Sequence, residues 1–158
     1  MKLVLVLIGF LYFPQGYCQK DLPQIKLVNE KVLALESNLI IQPKAFVDSS
    51  TISNEPFKEL YYKNRLTDKL GKVVKIIFNP DVRVTYYFLN NLLIKAIVVD
   101  RSTNDTFTIE SYFREGKLFY STHRSIEGDN SGRILIKSAN EYLKRYDIIA
   151  NIKKQTIN

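Results

Sequence analysis

The fold is decided by residues 82–99, which read VRVTYYFLNNLLIKAIVV. The two halves, Val82 to Leu89 and Leu92 to Val99, are rich in β-branched and aromatic residues, as is typical of strands. Asn90 and Asn91 join them, and asparagine tolerates the positive φ that a two-residue turn requires. The stretch therefore predicts an antiparallel β-hairpin.

A second hairpin is predicted 25 residues further on, with strands at Thr106 to Phe113 and Leu118 to Thr122. Its turn is Glu115-Gly116, and the Tyr-Phe pair before each turn recurs at the same offset. Pairing across a two-residue turn would place Phe88 opposite Leu93 and Phe113 opposite Leu118, a stabilising aromatic–aliphatic combination. This pairing explains the repeat without a functional motif, and two copies are too few for a solenoid.

Residues 112–118, Tyr-Phe-x-x-Gly-Lys-Leu, resemble the aromatic-Gly-Lys-Leu hairpins of MORN-like repeat proteins. The chain also resembles small exported bacterial proteins of unassigned function. The resemblance covers about nine residues twice. The first copy has Asn91 where the pattern has glycine, and the further glycines of MORN repeats are absent. The resemblance implies a β-hairpin scaffold and no catalytic residue.

Helical spacing flanks the hairpins. Apolar residues recur every three or four positions over Gln24 to Ile40 and again over Arg133 to Ile149. The predicted buried faces are Ile25, Val28, Val32, Leu35 and Leu39 in the first helix, and Ile136, Ala139, Leu143, Tyr146 and Ala150 in the second.

Val73 to Phe78 adds a further predicted strand, which ends at the turn cluster Asn79-Pro80-Asp81. The sequence thus predicts one α+β domain over residues 19–158, with an N-terminal helix, an antiparallel meander of about five strands and a C-terminal helix. Helices on one face of a curled sheet, as in cystatin-like and similar small folds, suit this element order.

Both faces of the first hairpin are apolar. Val84, Phe88, Leu93 and Ile97 are predicted to share one face, and the candidate ligand or partner face is Leu89, Leu92, Ile94, Ala96 and Val98. A sheet exposed to water on one face should alternate apolar with polar residues. This sheet is therefore predicted to be covered on both faces. The second cover is either the C-terminal helix or a ligand, a membrane or another subunit.

The composition excludes several chemistries. With 158 residues, one His, one Cys and no Trp, the chain cannot form a multi-histidine metal site, a Cys-rich zinc site or a disulfide framework. It contains no glycine-rich phosphate loop and no nucleophile elbow, so no metal and no cofactor are predicted.

The N-terminus has the pattern of a secretory signal peptide, residues 1–18. Lys2 precedes eleven apolar residues, Leu3 to Phe13, which are too few to span a bilayer as a helix. Gly16 and Cys18 are small residues at the −3 and −1 positions of a cut before Gln19. The sequence therefore predicts a secreted or periplasmic protein that meets the membrane only through its leader. The alternative is a lipid anchor on Cys18, although Gln15 and Tyr17 depart from a lipobox.

The formal charge is +7. Part of it is clustered in a basic stretch, here called the 58–75 patch, which comprises Lys58, Lys63, Arg65, Lys69, Lys72 and Lys75. Basic residues among tyrosines can follow an anionic polymer, but a solvated surface is the favoured interpretation of this stretch. Because export removes most nucleic-acid partners, none is predicted.

The single histidine, His123, lies within six residues of Ser121, Arg124, Glu127 and Asp129. A small hydrolase centred on His123 is therefore one alternative, and a basic module for anionic cell-surface polymers is another. The favoured interpretation is a non-enzymatic binding or scaffolding module that uses an apolar sheet face or groove. Its predicted partner is an envelope protein or a second copy of the chain.

Overall fold

The computed structural model describes residues 21–41, 57–123 and 130–155, with side chains of the last helix described as far as Ile148. The predicted signal peptide lies outside these ranges. The elements in chain order are α1 Leu22–Glu36, β1 Leu39–Ile41, β2 Phe57–Asn64, β3 Leu70–Phe78, β4 Asp81–Leu89, β5 Leu92–Asp100, β6 Phe107–Arg114, β7 Lys117–Ser121 and α2 Asn130–Gln155. The strands form one antiparallel sheet in the order β1 to β7. The predicted α+β class and the antiparallel meander are confirmed.

The sheet has seven strands in the described residues, where about five were predicted. β2 was not among the predicted strands because two charged residues, Lys58 and Glu59, are adjacent near its start, and Glu59 is 2% exposed rather than solvated. β1 has only three residues and follows α1 closely. The predicted first helix therefore runs too far: α1 ends at Glu36, and Leu39 belongs to β1, although its side chain still packs with the residues of α1.

The two predicted hairpins are confirmed. Asn90 and Asn91 have φ values of 52° and 61°, and Glu115 and Gly116 have 51° and 74°. Positive φ at both central residues is the requirement of a type I′ turn, whose twist matches that of the flanking strands. The predicted pairs across the turns, Phe88 with Leu93 and Phe113 with Leu118, are present as well.

Each hairpin carries a β-bulge at the same place, which the sequence repeat did not predict. Tyr87 pairs with Lys95 while Phe88 pairs with Leu93, so Ile94 is the extra residue in β5. By the same count Phe119 is the extra residue in β7. A bulge lets two consecutive side chains lie on one side of a strand. Ile94 and Phe119 accordingly pack in the same cluster as α1.

A third register shift lies between β2 and β3, where Gly71 is the extra residue. A β-carbon at Gly71 would lie 2.5 Å from Cδ2 of Leu39 and 3.3 Å from Cδ1 of Leu35. A side chain at this position would therefore require the Leu39 side chain to move, whereas glycine leaves room for it.

The two helices cover opposite faces of the sheet, which corrects the prediction that both lie on one face. Val28, Val32 and Leu35 of α1 pack in one buried cluster, and Ala139, Tyr142 and Tyr146 of α2 pack in another. Both faces of the sheet are apolar because each is covered by a helix of the same chain. The alternative in which the C-terminal helix supplies the second cover is the correct one.

The repeated Tyr-Phe pairs connect these two cores. Tyr87 and Tyr112 pack on the α1 side, whereas Phe88 and Phe113 pack on the α2 side, where they are 1% and 2% exposed. Successive side chains of a strand point to opposite faces, so each pair fills both cores from one short segment.

Candidate functional site

An apolar groove lies between α1 and the turn end of the two hairpins. Its volume is about 330 Å³. The apolar side chains that line it include Leu27 and Val28 of α1, Leu89 of β4, Leu92 and Ile94 of β5, and Phe119 of β7. We call this feature the α1 groove.

The bulges explain why the α1 groove has an apolar floor. Leu93 packs on the α2 side, so a β5 strand without the extra residue would continue directly with Lys95 on the α1 side, because successive residues point to opposite faces. The extra residue Ile94 adds an apolar side chain on that side, and Phe119 does the same one hairpin later. Both of these bulge residues line the groove.

The mouth of the α1 groove exposes apolar surface to water. Leu27 is 50% exposed and Leu92 is 49% exposed, whereas Val28, on the sheet side of α1, is 8% exposed. Burying a leucine side chain completely is worth about 1.5–3 kcal/mol. A ligand that covers these two residues would recover part of that free energy.

The rim of the α1 groove is polar and carries two cations. Lys31 of α1 and Arg114 at the end of β6 line it, together with Gln24, Asn90 and Glu115. The Arg114 guanidinium donates from Nη1 to the Gln24 side-chain oxygen at 3.0 Å. This contact ties the first turn of α1 to the second hairpin.

On its other side, α1 is joined to the sheet by two polar clusters. Lys95, which is 6% exposed, donates to Oδ1 of Asn29 at 2.9 Å and lies 3.2 Å from Oε2 of Glu110. Glu36 accepts hydrogen bonds at 2.8 Å from Lys72 and from the hydroxyl of Tyr87. These contacts fix α1 on the sheet and neutralise both lysines.

A further polar cluster lies under α2. The buried Glu59 carboxylate accepts from the Tyr61 hydroxyl at 2.9 Å and from Nη1 of Arg145 at 3.2 Å. Burial, followed by the nearby Glu59 charge, raises the pKa of Tyr61 and of Tyr142. Every buried side-chain nitrogen and oxygen of the described residues has a hydrogen-bond partner. We assign this cluster to the folding of α2 onto the sheet.

The structure divides the predicted partner face. Leu89, Leu92 and Ile94 lie together in the α1 groove, but Ala96 packs against α2 on the opposite face. Val98 pairs with Val84, which also packs in the α2 core. The prediction that all five share a face is wrong because the bulge at Ile94 reverses the alternation after it. Ile97, predicted opposite to them, packs on the α1 side for the same reason.

The 58–75 patch is also dispersed. Lys72 is on the α1 side in its pair with Glu36, and Lys63 pairs with Asp68 in the turn before β3. Lys75 lies 4.5 Å from the ring centroid of Phe57. Lys58 is in β2, and Arg65 and Lys69 are in the connection to β3. The structure does not bring the six cations together into one surface.

The histidine cluster is not assembled as a triad in the described residues. The Ser121 hydroxyl donates to the main-chain oxygen of His123 at 3.1 Å, not to its imidazole. The exposed His123 ring lies edge-on to Phe107, with 5.1 Å between ring centroids. The other predicted members, Arg124, Glu127 and Asp129, lie outside the described residues.

The described residues contain neither a metal-binding cluster nor a membrane-spanning helix. No group of three or more His, Cys, Asp or Glu side chains is placed to hold a metal ion. None of the helices described combines the length and the apolar character needed to cross a membrane.

Comparison of the chain with protein-family models, with curated proteins and with solved structures finds no match.

Proposed function

We propose that this protein is a non-enzymatic binding module that holds the apolar part of a small molecule in the α1 groove. One observation carries the proposal: the extra residues of two bulges, Ile94 and Phe119, both line a groove whose mouth exposes Leu27 and Leu92. Two separate deviations from regular pairing thus contribute to the same cavity, and bulges often re-aim side chains beside functional sites.

The size of the groove favours a small molecule over a protein partner. Its volume of about 330 Å³ falls within the roughly 300–1,000 Å³ of small-ligand pockets. A stable protein interface instead covers on the order of 800 Å² on each partner. The walls are also held in place before any ligand arrives, because Asn29 and Glu36 fasten α1 to the sheet. A preformed site avoids the cost of ordering its own walls on binding.

A neutral apolar dye tests this function. N-phenylnaphthylamine fluoresces strongly in apolar surroundings, and we expect saturable binding to the wild-type protein. Leu27→Glu places a carboxylate at the mouth of the groove and should weaken binding at least about tenfold, which corresponds to the burial free energy of part of one leucine. The measurement is a fluorescence titration.

Leu33→Glu is the matched control, because Leu33 is also on α1, is 71% exposed and does not line the groove. It should bind the dye as the wild type does. Equal weakening by the two substitutions, or no saturable binding by the wild type, would contradict the proposal. A wild-type dimer in size-exclusion chromatography that Leu27→Glu alone dissociates would identify a second copy of the chain as the occupant, which also contradicts it.

We also propose that the protein is exported and that residues 1–18 are removed. The support is the sequence pattern: a lysine, an eleven-residue apolar run and small residues before Gln19. Expression in a Gram-negative bacterial host followed by mass spectrometry of the periplasmic fraction should yield a chain that begins at Gln19. An intact chain beginning at Met1 in the cytosol would contradict export, and a chain beginning at a lipid-modified Cys18 in the membrane fraction would establish the lipid-anchored alternative.

A further inference from the structure

We propose that the ligand of the α1 groove is a single-chain amphiphile with one carboxylate head, the chemistry of a free fatty acid. The inference rests on the binding function proposed above. It adds that the apolar chain lies on Ile94 and Phe119 while the head is held at the rim by Lys31 and Arg114.

The charge of the rim favours an anion. Lys31 and Arg114 line the groove, and Glu115 is the single acidic residue among the described side chains that do so. The rim therefore carries a net positive charge above an apolar floor. An apolar surface next to a cation complements a molecule with an apolar chain and one negative end.

The positive charges at the rim are not neutralised by the described part of the protein. On the other side of α1, Lys72 and Lys95 form ion pairs with Glu36 and Glu110. Lys31 is exposed and forms no ion pair with any described residue, so its charge is free to interact with a ligand.

Arg114 is similarly available. The hydrogen bond that it donates goes to the neutral amide of Gln24, which orients the guanidinium without removing its charge. A guanidinium has five N–H donors and can bind a carboxylate with two parallel hydrogen bonds. Arg114 therefore keeps donors for a ligand while Gln24 holds it at the rim.

The helix geometry places the Lys31 charge over the apolar part of the groove. Lys31 follows Leu27 and Val28 by four and three residues, so the three share one side of α1. Side chains of an α-helix lean toward its N-terminus, which directs Lys31 back over that pair. An ammonium group at this position lies next to the exposed Leu27, where the head of a bound amphiphile would leave the groove.

Competition against N-phenylnaphthylamine tests the inference. Dodecanoate and dodecanol have the same apolar chain and differ in the charge of the head. Below the critical micelle concentration of dodecanoate and the solubility limit of dodecanol, we expect dodecanoate to displace the dye from the wild type at about tenfold lower concentration than dodecanol. The double substitution Lys31→Gln and Arg114→Gln should remove this preference, with the competition of each variant compared against that variant's own affinity for the dye.

The control is the double substitution Lys26→Gln and Lys117→Gln. It removes the same charge from α1 and from the start of β7, and neither residue lines the groove. It should keep the preference for dodecanoate. Loss of the preference in both double variants would show a general effect of net charge and would overturn the inference.

The failure of this inference and the failure of the binding function give different results. If the wild type binds the dye but dodecanoate and dodecanol compete equally, the assignment of a carboxylate head to the ligand is wrong, while the binding function stands. If the wild type does not bind the dye, the binding function itself is wrong.

Discussion

Replacing Phe113 by alanine is expected to lower the free energy of unfolding by about 3–5 kcal/mol, the usual cost of deleting a fully buried phenylalanine ring. Phe113 is 2% exposed and packs in the α2 core next to the turn of the second hairpin. Its loss removes the cross-strand pair with Leu118 and leaves a cavity between the sheet and α2. The measurement is urea unfolding followed by circular dichroism.

Phe78→Ala is the matched control, because Phe78 is at the end of β3 and is 57% exposed. Its substitution should cost less than about 1 kcal/mol, since surface changes away from special features are small. If Phe113→Ala leaves too little folded protein to measure, Phe113→Leu should give a smaller loss that still exceeds that of Phe78→Ala. Equal losses at positions 113 and 78 would contradict the packing described for the α2 core.

Raising the pH above about 10 is expected to unfold the protein cooperatively. Burial is the main reason that the tyrosine pKa values are raised in the folded protein. It raises the pKa of Tyr146 to about 12. It also raises the pKa values of Tyr61, Tyr86, Tyr87 and Tyr142 above the usual value for tyrosine. In the unfolded chain a tyrosine ionises near pH 10. Between these values the unfolded state loses protons that the folded state retains.

The sign of the effect follows from proton binding. A folded pKa above the unfolded pKa gives a contribution to stability that is complete below about pH 10 and is lost as the pH rises toward the folded value. Each such tyrosine lowers the free energy of unfolding by about 1.4 kcal/mol per pH unit in this range. Several together are comparable to the whole stability of a small domain, about 5–15 kcal/mol.

Near-ultraviolet absorbance of tyrosinate and circular dichroism, recorded together, test this expectation. Part of the tyrosinate signal should appear at the same pH as the loss of structure. Tyr142→Phe should remove the contribution of one tyrosine to the pH dependence of the free energy of unfolding. It should keep most of the packing against Tyr86, whose ring centroid lies 5.1 Å from that of Tyr142. Full ionisation of tyrosine while the circular dichroism stays native would show that these hydroxyls are not buried.

The local part of the fold could be predicted from the sequence. Two-residue turns at Asn90-Asn91 and Glu115-Gly116 are determined by a few neighbouring residues, and so is the pairing beside them. The helix faces could be predicted because helical spacing depends only on which positions are apolar. The face predicted for α2 is confirmed for Ile136, Ala139, Leu143 and Tyr146, which pack in the α2 core. The side chain of Ala150 lies outside the described residues, and the buried Tyr142 was not predicted.

The placement of the helices on opposite faces depends on long-range packing. A sheet that is apolar on both faces needs another element packed on each face. The sequence alone does not determine which helix packs on which face. β2 was missed for a related reason. Its Glu59 looks like a surface residue until Tyr61 and Arg145 satisfy its carboxylate inside the protein.

About half of the candidate site could be predicted. Leu89, Leu92 and Ile94 were identified because they form an apolar set in the first hairpin. Leu27 and Lys31 were missed because they lie beside the buried stripe of α1 rather than on it. An apolar residue next to that stripe, followed one turn later by a lysine, is the signal that could have indicated them.

The bulge at Ile94 has a consequence for how this cavity could be gained or lost in evolution. Without this single residue, Leu93, Lys95 and Ala96 would alternate regularly, and the pairing of β5 with β4 would continue without interruption. A one-residue insertion is therefore enough to add the Ile94 side chain to the lining of the α1 groove. Among homologues of this chain, the lengths of β5 and β7 would distinguish the proteins that carry the cavity from those that share only the scaffold.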